Sequence, residues 1–335
     1  MNNADVILDV RDLCVDYISE RGVVRAVNHV SFSIRAGEVF GLAGESGSGK
    51  STAALAILRL LPAPAVIRGG QVLFRGQDIL KVNDAQLGQL RWRDVSMVFQ
   101  SAMNALNPVM RIGRQISDAI VRHERIPPRE ARERTQELLR IVGIDPARAS
   151  AYPHELSGGM RQRVVIAVAL ALRPSLIIMD EPTTALDVVV QREILDEITD
   201  LQQRFGFSIL FITHDMSLLV EISNRIAIMY AGEIVEEATA RELYHRPAHP
   251  YTRGLMNSFP SLDGENVRLT GIAGSPPNLL HPPSGCRFRD RCPHAMPVCA
   301  TVSPAVTLVG DAHTTRCHLY DQPLPLDASE KEMAV

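Results

Sequence analysis

Gly44-Glu45-Ser46-Gly47-Ser48-Gly49-Lys50-Ser51-Thr52 fits the pattern G-x-x-x-x-G-K-[ST], a phosphate loop of the Walker A kind. The apolar run Val39-Phe40-Gly41-Leu42-Ala43 leads into it and reads as a buried strand. Thr52-Ala53-Ala54-Leu55-Ala56-Ile57-Leu58 leads out and reads as a helix, so the motif has the strand–loop–helix context it requires. The residue types carry the chemistry. Glycines let the backbone turn tightly and bring its N–H groups close to phosphate oxygens. The helix that starts there points the positive end of its dipole at the anion. Lys50 is expected to reach the β- and γ-phosphates and the Ser51 hydroxyl to ligate Mg²⁺. A Gly/Ser-rich turn before a helix is the bland alternative, and average residue usage puts a chance match in a chain this long at on the order of one per cent.

Polar groups close several other apolar runs. Asp94-Val95-Ser96-Met97-Val98-Phe99 reads as a strand and ends in Gln100. Leu176-Ile177-Ile178-Met179 reads as a central parallel strand and ends in Asp180-Glu181. Ile209-Leu210-Phe211-Ile212-Thr213 ends in His214-Asp215. Two adjacent carboxylates at the end of a buried strand are costly without cations. After a phosphate loop the aspartate is expected to hold Mg²⁺ and the glutamate to orient or polarise the attacking water. In open α/β sheets ligands bind at the carboxyl ends of strands, so these groups are expected to converge on one edge.

Between the strands the pattern is helical. Pro128 to Val142 is amphipathic and is stopped by Gly143, within a segment of roughly 101–160 that reads as a helical insertion. Leu156-Ser157-Gly158-Gly159-Met160-Arg161-Gln162-Arg163 opens an apolar helix through Leu172. Ser157 is a good N-cap, and Gly158 and Gly159 leave the helix start bare, a second anion-binding start in one chain. Thr184-Ala185-Leu186-Asp187 precedes an amphipathic helix from Gln191 to Arg204.

Residues 6–43 alternate in short segments (6–10, 13–17, 30–34), the pattern of antiparallel strands with turns at Arg21-Gly22 and Ala36-Gly37. Cys14 falls at an apolar, core position. Tyr17 falls at a strand end, where an aromatic can stack on a purine or serve ordinary packing. Residues 226–230 and 232–236 read as a hairpin turning at Ala231-Gly232. Residues 260–335 show little periodicity, and the end, from Asp321, is expected to be disordered.

The chain has 335 residues and a net charge of −3, room for one large α/β domain plus an extension and no strong field for nucleic acid. The N-terminus does not read as a secretory signal, and the longest apolar run, Val164 to Leu172, is too short to span a bilayer. A soluble, cytoplasmic chain is expected, any membrane role coming through a partner.

With these residues in view, the chain resembles the nucleotide-binding subunits of ABC transporters. Walker A (44–52), Gln100 of the Q-loop, the LSGG signature (156–159), Walker B (176–181), the D-loop (184–187) and His214 of the H-loop occur in that family's order. Tyr17 matches the family's A-loop aromatic. Tyr152 to Arg163, Met229-Tyr230-Ala231-Gly232 and His249-Pro250-Tyr251-Thr252 look like the form used by dipeptide and oligopeptide importers, most like their D-type ATPase subunit. The resemblance implies a phosphate-loop α/β cassette over 5–257 with a mixed-sheet RecA-like core, an antiparallel β subdomain and a helical subdomain at about 101–165. An irregular extension (258–320) and a tail (321–335) follow. It implies ATP held by Tyr17, by Gly44 through Thr52 and, from a paired subunit, by Ser157, Gly158 and Gly159. Mg²⁺ would sit on Ser51, Gln100 and Asp180, with Glu181 as general base or water positioner, His214 on the γ-phosphate and Gln100 as sensor. The implied partners are a second, homologous ATPase subunit, two membrane-spanning permease subunits and, indirectly, a periplasmic or extracellular peptide-binding protein, with no nucleic acid. The implied location is the cytoplasmic face of the inner membrane.

Cys286, Cys292, Cys299 and Cys317 do not have the common zinc spacing or that of a ferredoxin run, and spacing alone leaves a metal site and unrelated thiols equally open. The resemblance implies a [4Fe–4S] cluster there, structural or redox-sensing, with Zn²⁺ as the alternative. Two other classes compete for the whole chain: a soluble ABC ATPase in a nucleic-acid or translation role, or an importer ATPase for a non-peptide solute. A phosphate-loop kinase has no use for the signature 156–159 or for the Glu181/His214 pair.

Overall fold

Strands covered on both faces read as unbroken apolar runs, and three such runs make the centre of this molecule. The computed structural model describes residues 5–100, 105–184, 186–258 and 271–321. Its strands are β1 Val6–Ser19, β2 Gly22–Arg35, β3 Val39–Ala43, β4 Ala65–Phe74, β5 Gln77–Asp78, β6 Val95–Val98, β7 Leu176–Asp180, β8 Ser208–Thr213, β9 Arg225–Tyr230, β10 Glu233–Thr239, β11 Thr307–Gly310 and β12 His313–Thr315. They form a four-stranded antiparallel sheet, β2-β1-β4-β5, and an eight-stranded mixed sheet, β11-β12-β10-β9-β3-β8-β7-β6. β9, β3, β8, β7 and β6 run parallel in that order, and β10, β12 and β11 are added antiparallel.

The period-2 alternation of these strands divides the core in two. Leu176, Ile178, Leu210, Ile212, Phe40 and Leu42 pack with Ala53, Ala54 and Ile57 of the helix Lys50–Ile57 and with the antiparallel sheet. Ile177, Met179, Ile209, Phe211, Ile226 and Ile228 pack on the opposite side against Val164 and Ala167 of the helix Gly158–Leu170 and Ile194 and Ile198 of the helix Val188–Phe205. Each fully buried Leu or Ile contributes about 1.5–3 kcal/mol relative to exposure. The helices Ile112–Glu124 and Pro128–Ile141 bury Ile116, Ile120, Leu138 and Leu139 in the same second core, so the helical insertion has one continuous core with the sheet. Among the described residues no helix is long and apolar enough to cross a membrane.

Three sequence expectations need revision. The segments 6–10 and 13–17 are one strand, not two. Asp12, at φ +52°, sits in a bulge where the register with β2 and β4 shifts, and Gly70 lies opposite at φ +99°. A Cβ on Gly70 would lie 2.6 Å from the Asp12 carbonyl. The helix expected from Gln191 starts at Val188, because the Asp187 carboxylate caps it by accepting the Val190 N–H at 3.0 Å. The stretch after 260 is not without strands: β12 pairs with β10 through Glu236 and Glu237. It is only three residues long, too short to show a period. The expectations for 101–104, Ala185, 259–270 and the tail beyond Asp321 lie outside the described residues.

Buried polar groups fasten the late segments to the sheet. The Glu236 carboxylate accepts the Ala248 N–H at 2.6 Å and the His249 N–H at 2.8 Å and is hydrogen-bonded to His313 Nε2 at 2.6 Å. His249 Nδ1 accepts the Tyr251 N–H at 3.0 Å, which caps the helix Pro250–Met256. Burial pushes His249 down to about 4 from 6.5; Glu236 and the Arg316 carbonyl pull it up, and Arg253 adds to the lowering. The unfolded chain therefore binds the extra proton first. Stability contributed by neutral His249 is complete above pH 6.5 and is lost as pH falls toward 4, on the order of 3 kcal/mol in all. The melting temperature is expected to fall between pH 7 and pH 5 in calorimetry, and less steeply in His249→Asn; parallel profiles for the two proteins would contradict this origin.

Candidate functional site

The loop between β3 and the helix Lys50–Ile57 is held by close backbone approaches. Gly44 (φ +148°) would place a Cβ 2.1 Å from the Met229 carbonyl, and Gly49 (φ +103°) would place one 2.2 Å from the Ala26 carbonyl. No L side chain fits either position. Gly49 is also the N-cap of the helix and gives it no side-chain cap, so the first amides of that helix are left for an anion. Lys50, only 5% exposed, donates from Nζ to the Gly44 carbonyl at 2.8 Å, the Glu45 carbonyl at 2.9 Å and Ser48 Oγ at 3.4 Å. Burial lowers its pKa, against the pull of Glu181, Asp180 and Glu45.

Around this loop the ends of three strands meet. Ser51 Oγ donates to Asp180 Oδ1 at 3.1 Å, joining the phosphate loop to the end of β7. Asp180 is buried, and that desolvation raises its pKa in spite of the Ser51 bond and Lys50. Glu181 follows at φ +47°, a left-handed backbone rare for a non-glycine residue and found where surrounding structure enforces it. Its carboxylate accepts from Gln100 Nε2 at 2.9 Å and Thr184 Oγ1 at 3.0 Å and lies 3.2 Å from His214 Nδ1, just past the end of β8. Burial works to raise the Glu181 carboxyl, but the bonds from His214 and Thr184 and the charges of His214 and Lys50 outweigh it, and the net shift is downward. Glu181 is therefore held ionised. Tyr17 Oη is 3.2 Å from Thr52 Oγ1, which sets the ring beside the start of the helix after the loop.

The residues read from sequence thus fall into two places. Tyr17, the loop 44–52, Gln100, Asp180, Glu181 and His214 are brought together. Ser157, Gly158 and Gly159 stand apart: Ser157 caps its own helix at Met160 N (3.3 Å), and among the described residues no hydrogen bond joins 157–159 to the phosphate loop. Three contributors carried no sequence signal of their role. Thr184 holds Glu181, Tyr251 Oη accepts the Glu45 N–H at 2.8 Å, and Arg291 pairs with the Glu45 carboxylate. Tyr251 stood out only as part of a likeness, and Arg291 only as a charge beside cysteines.

The late cysteines are gathered without forming a ligand set. Burial raises the thiols of Cys286, Cys292 and Cys317, the last to about 11, and each of the three accepts a backbone N–H two residues on, from Phe288, His294 and Leu319. All four thiols are near enough to influence one another's charge, and the Cys286 N–H donates to the Cys299 carbonyl at 2.8 Å. Yet among the described residues no group of three or more His, Cys, Asp or Glu is positioned to hold a metal ion. The donor chemistry suits soft metals, but the arrangement does not present the ready-made site implied for a [4Fe–4S] cluster or Zn²⁺.

Comparison with known proteins agrees with this geometry. Residues 27–184 match the model of the ABC transporter family, and residues 235–299 match that of the oligopeptide/dipeptide transporter C-terminal region. The chain is 43% identical over 319 residues to the dipeptide transport ATP-binding protein DppD of Bacillus subtilis, covering 94% of this chain and 95% of that protein. It is 46% identical over 303 residues to the oligopeptide transport ATP-binding protein OppD of Escherichia coli, covering 90% of each. The dimeric structure of MJ0796, a bacterial ABC transporter cassette, superposes with a TM-score of 0.63 at 28% identity, over 70% of this chain and 99% of that one.

Proposed function

The chain belongs to the ABC transporter family of ATP-binding proteins, and on that footing we propose that it is the ATP-hydrolysing subunit of a membrane importer for di- and oligopeptides. One observation carries the proposal: a phosphate loop joined through Ser51 to Asp180 stands beside an ionised Glu181 held by Gln100, Thr184 and His214. The peptide class is supported by the C-terminal match and by the named roles of the relatives.

The residues take the following roles in this reading. Tyr17 stacks on the adenine. Lys50 and the amides of the loop 44–52, apart from that of Glu45, which Tyr251 holds, bind the phosphates. Ser51, Asp180 and Gln100 offer hard oxygen donors that suit Mg²⁺, which when bound neutralises charge on the phosphates. Glu181 takes the proton of the attacking water, oriented by His214 and Gln100, and His214 also faces the γ-phosphate. Ser157, Gly158 and Gly159 complete the triphosphate pocket of a paired subunit, a reading supported by their separation from the chain's own loop and by the dimer of the related cassette. Closure of the pair on ATP and reopening after hydrolysis drive the permease subunits, on which the helical segment near Gln100 docks at the cytoplasmic face of the membrane. Cys286, Cys292, Cys299 and Cys317 are the residues that would hold a [4Fe–4S] cluster, with Zn²⁺ second. Burial favours the thiol form of Cys286, Cys292 and Cys317, so ligation requires the thiols to lose their protons and turn to a common centre, and no step of hydrolysis uses them.

One preparation tests both parts. The tagged chain, solubilised from membranes under anaerobic conditions, is expected to bring with it a homologous ATPase subunit and two membrane-spanning subunits. Its ATP hydrolysis should be much faster in that complex than as dilute isolated chain. Iron absorbance is expected in the same material. Full activity of the isolated monomer would remove the transport reading; absence of both iron and zinc would remove the metal.

A further inference from the structure

We propose that Arg291 is a positioning residue for the phosphate loop, by which the C-terminal extension holds Glu45 neutralised and sets the affinity for the nucleotide. This rests on the reading of 44–52 as a triphosphate site.

A carboxylate in a loop built to bind an anion needs a reason. Glu45 lies between Gly44 and Ser46 and has no counterpart in the chemistry of phosphate binding, where its charge repels the ligand. Arg291 removes that charge. Its Nη1 donates to Glu45 Oε2 at 2.7 Å and its Nη2 to Glu45 Oε1 at 2.9 Å, a fork-to-fork pair. The arginine side chain is 5% exposed and fixed on all sides. Its Nε donates to the Ala273 carbonyl at 3.0 Å, and the guanidinium lies 5.7 Å from the Tyr230 ring centre and 5.9 Å from that of Phe288. Phe288 packs in turn on Tyr230 (5.2 Å) and Tyr251 (5.4 Å). Tyr251 closes the circuit by accepting the Glu45 amide at 2.8 Å. Glu45 is thus held at main chain and side chain from outside the loop, whose neighbours Gly44, Ser46 and Gly47 are too small to fix it. The extension is fastened to the same place by Arg287, which bonds Glu233 at 3.0 Å and the Ala231 carbonyl, next to Gly232, whose N–H donates to the Ser48 carbonyl at 2.9 Å.

If Arg291 acts by neutralising Glu45, its loss is worse than loss of both partners. The test is the Kd of a fluorescent ATP analogue for the full-length chain, with Lys50→Ala as the non-binding control. Arg291→Met is expected to weaken binding about tenfold, within the usual range of coupling between sites. Glu45→Gln, which removes the carboxylate and its restraint but leaves the Arg291 cation unpaired, is expected to weaken binding less, about threefold, and the Glu45→Gln/Arg291→Met double variant, with neither charge, should bind more tightly than Arg291→Met alone. In the assembled complex KM should rise in step with Kd while kcat changes little, a split that mere loss of stability does not produce. If Arg291→Met fails to fold, Arg291→Lys carries the comparison. It keeps the charge without the fork and is expected to weaken binding about threefold. Wild-type affinity in either arginine variant, or a double variant no better than Arg291→Met, would overturn the proposal. An unmodified chain that binds no nucleotide would instead overturn the reading of the site.

Discussion

Replacing Glu181 by Gln in the assembled complex is expected to slow ATP hydrolysis by about 10²–10⁴-fold, the usual worth of a positioned general base, while nucleotide binding survives. The substitution is nearly isosteric, and the contacts from Gln100 and Thr184, at 2.9 Å and 3.0 Å, go to one carboxylate oxygen that an amide oxygen can replace. What is lost is the ability to take a proton. The carboxyl is held ionised because the bonds from His214 and Thr184 and the charge of Lys50 outweigh its burial. The phosphate loop does not depend on Glu181 for its shape: Lys50 is held by Gly44, Glu45 and Ser48. The variant should therefore bind ATP, stay closed with a second cassette and elute as the larger species when ATP is present. Single-turnover rates equal to wild type would remove Glu181 from the chemistry. A variant that binds ATP but never pairs would contradict the shared pocket instead.

Much of this arrangement is legible from residue types alone, because strand ends and phosphate loops are local. The runs at 39–43, 176–179 and 209–213 are apolar for want of any solvent-facing side, and polar groups can stand only where those runs stop. That places Asp180, Glu181 and His214 without knowledge of the register. Strand order is not local and does not follow from the pattern: β3 lies between β8 and β9, distant in sequence. Bulges defeat the period for a different reason. Asp12 breaks the alternation of β1 without ending the strand, so one element reads as two. The extension is hardest, since its strands β11 and β12 have four and three residues and its contacts are made by arginines and single rings. Arg291 reads as one of several charges near cysteines until the fold sets it against Glu45, far away in the chain.

Lys50→Ala is expected to reduce ATP affinity by about a hundredfold or more, the combined worth of two charge-assisted hydrogen bonds at roughly 1.5–3 kcal/mol each. The ammonium is buried, its donors engaged by the Gly44 and Glu45 carbonyls and Ser48 Oγ, so the loop is folded around its own cation. In the proposed triphosphate site, phosphate oxygens would take the place of those acceptors, the lysine exchanging loop partners for ligand partners. Removing it leaves the Gly44 carbonyl unpaired, the Glu45 carbonyl with only the Ser48 N–H at 3.2 Å, and Asp180 and Glu181 without a buried cation, since Lys50 is the charge that pulls against the desolvation of Asp180. Lys50→Arg is not expected to restore binding: the planar guanidinium cannot reproduce three donors converging from a point, and Gly44 leaves no slack, its Cα facing the Met229 carbonyl. The measurement is the Kd of a fluorescent ATP analogue, with the melting temperature recorded alongside. If Lys50→Ala bound nucleotide as tightly as the unaltered chain while remaining folded, the loop 44–52 would not be the phosphate site, and the roles given to Ser51, Asp180 and Glu181 would go with it.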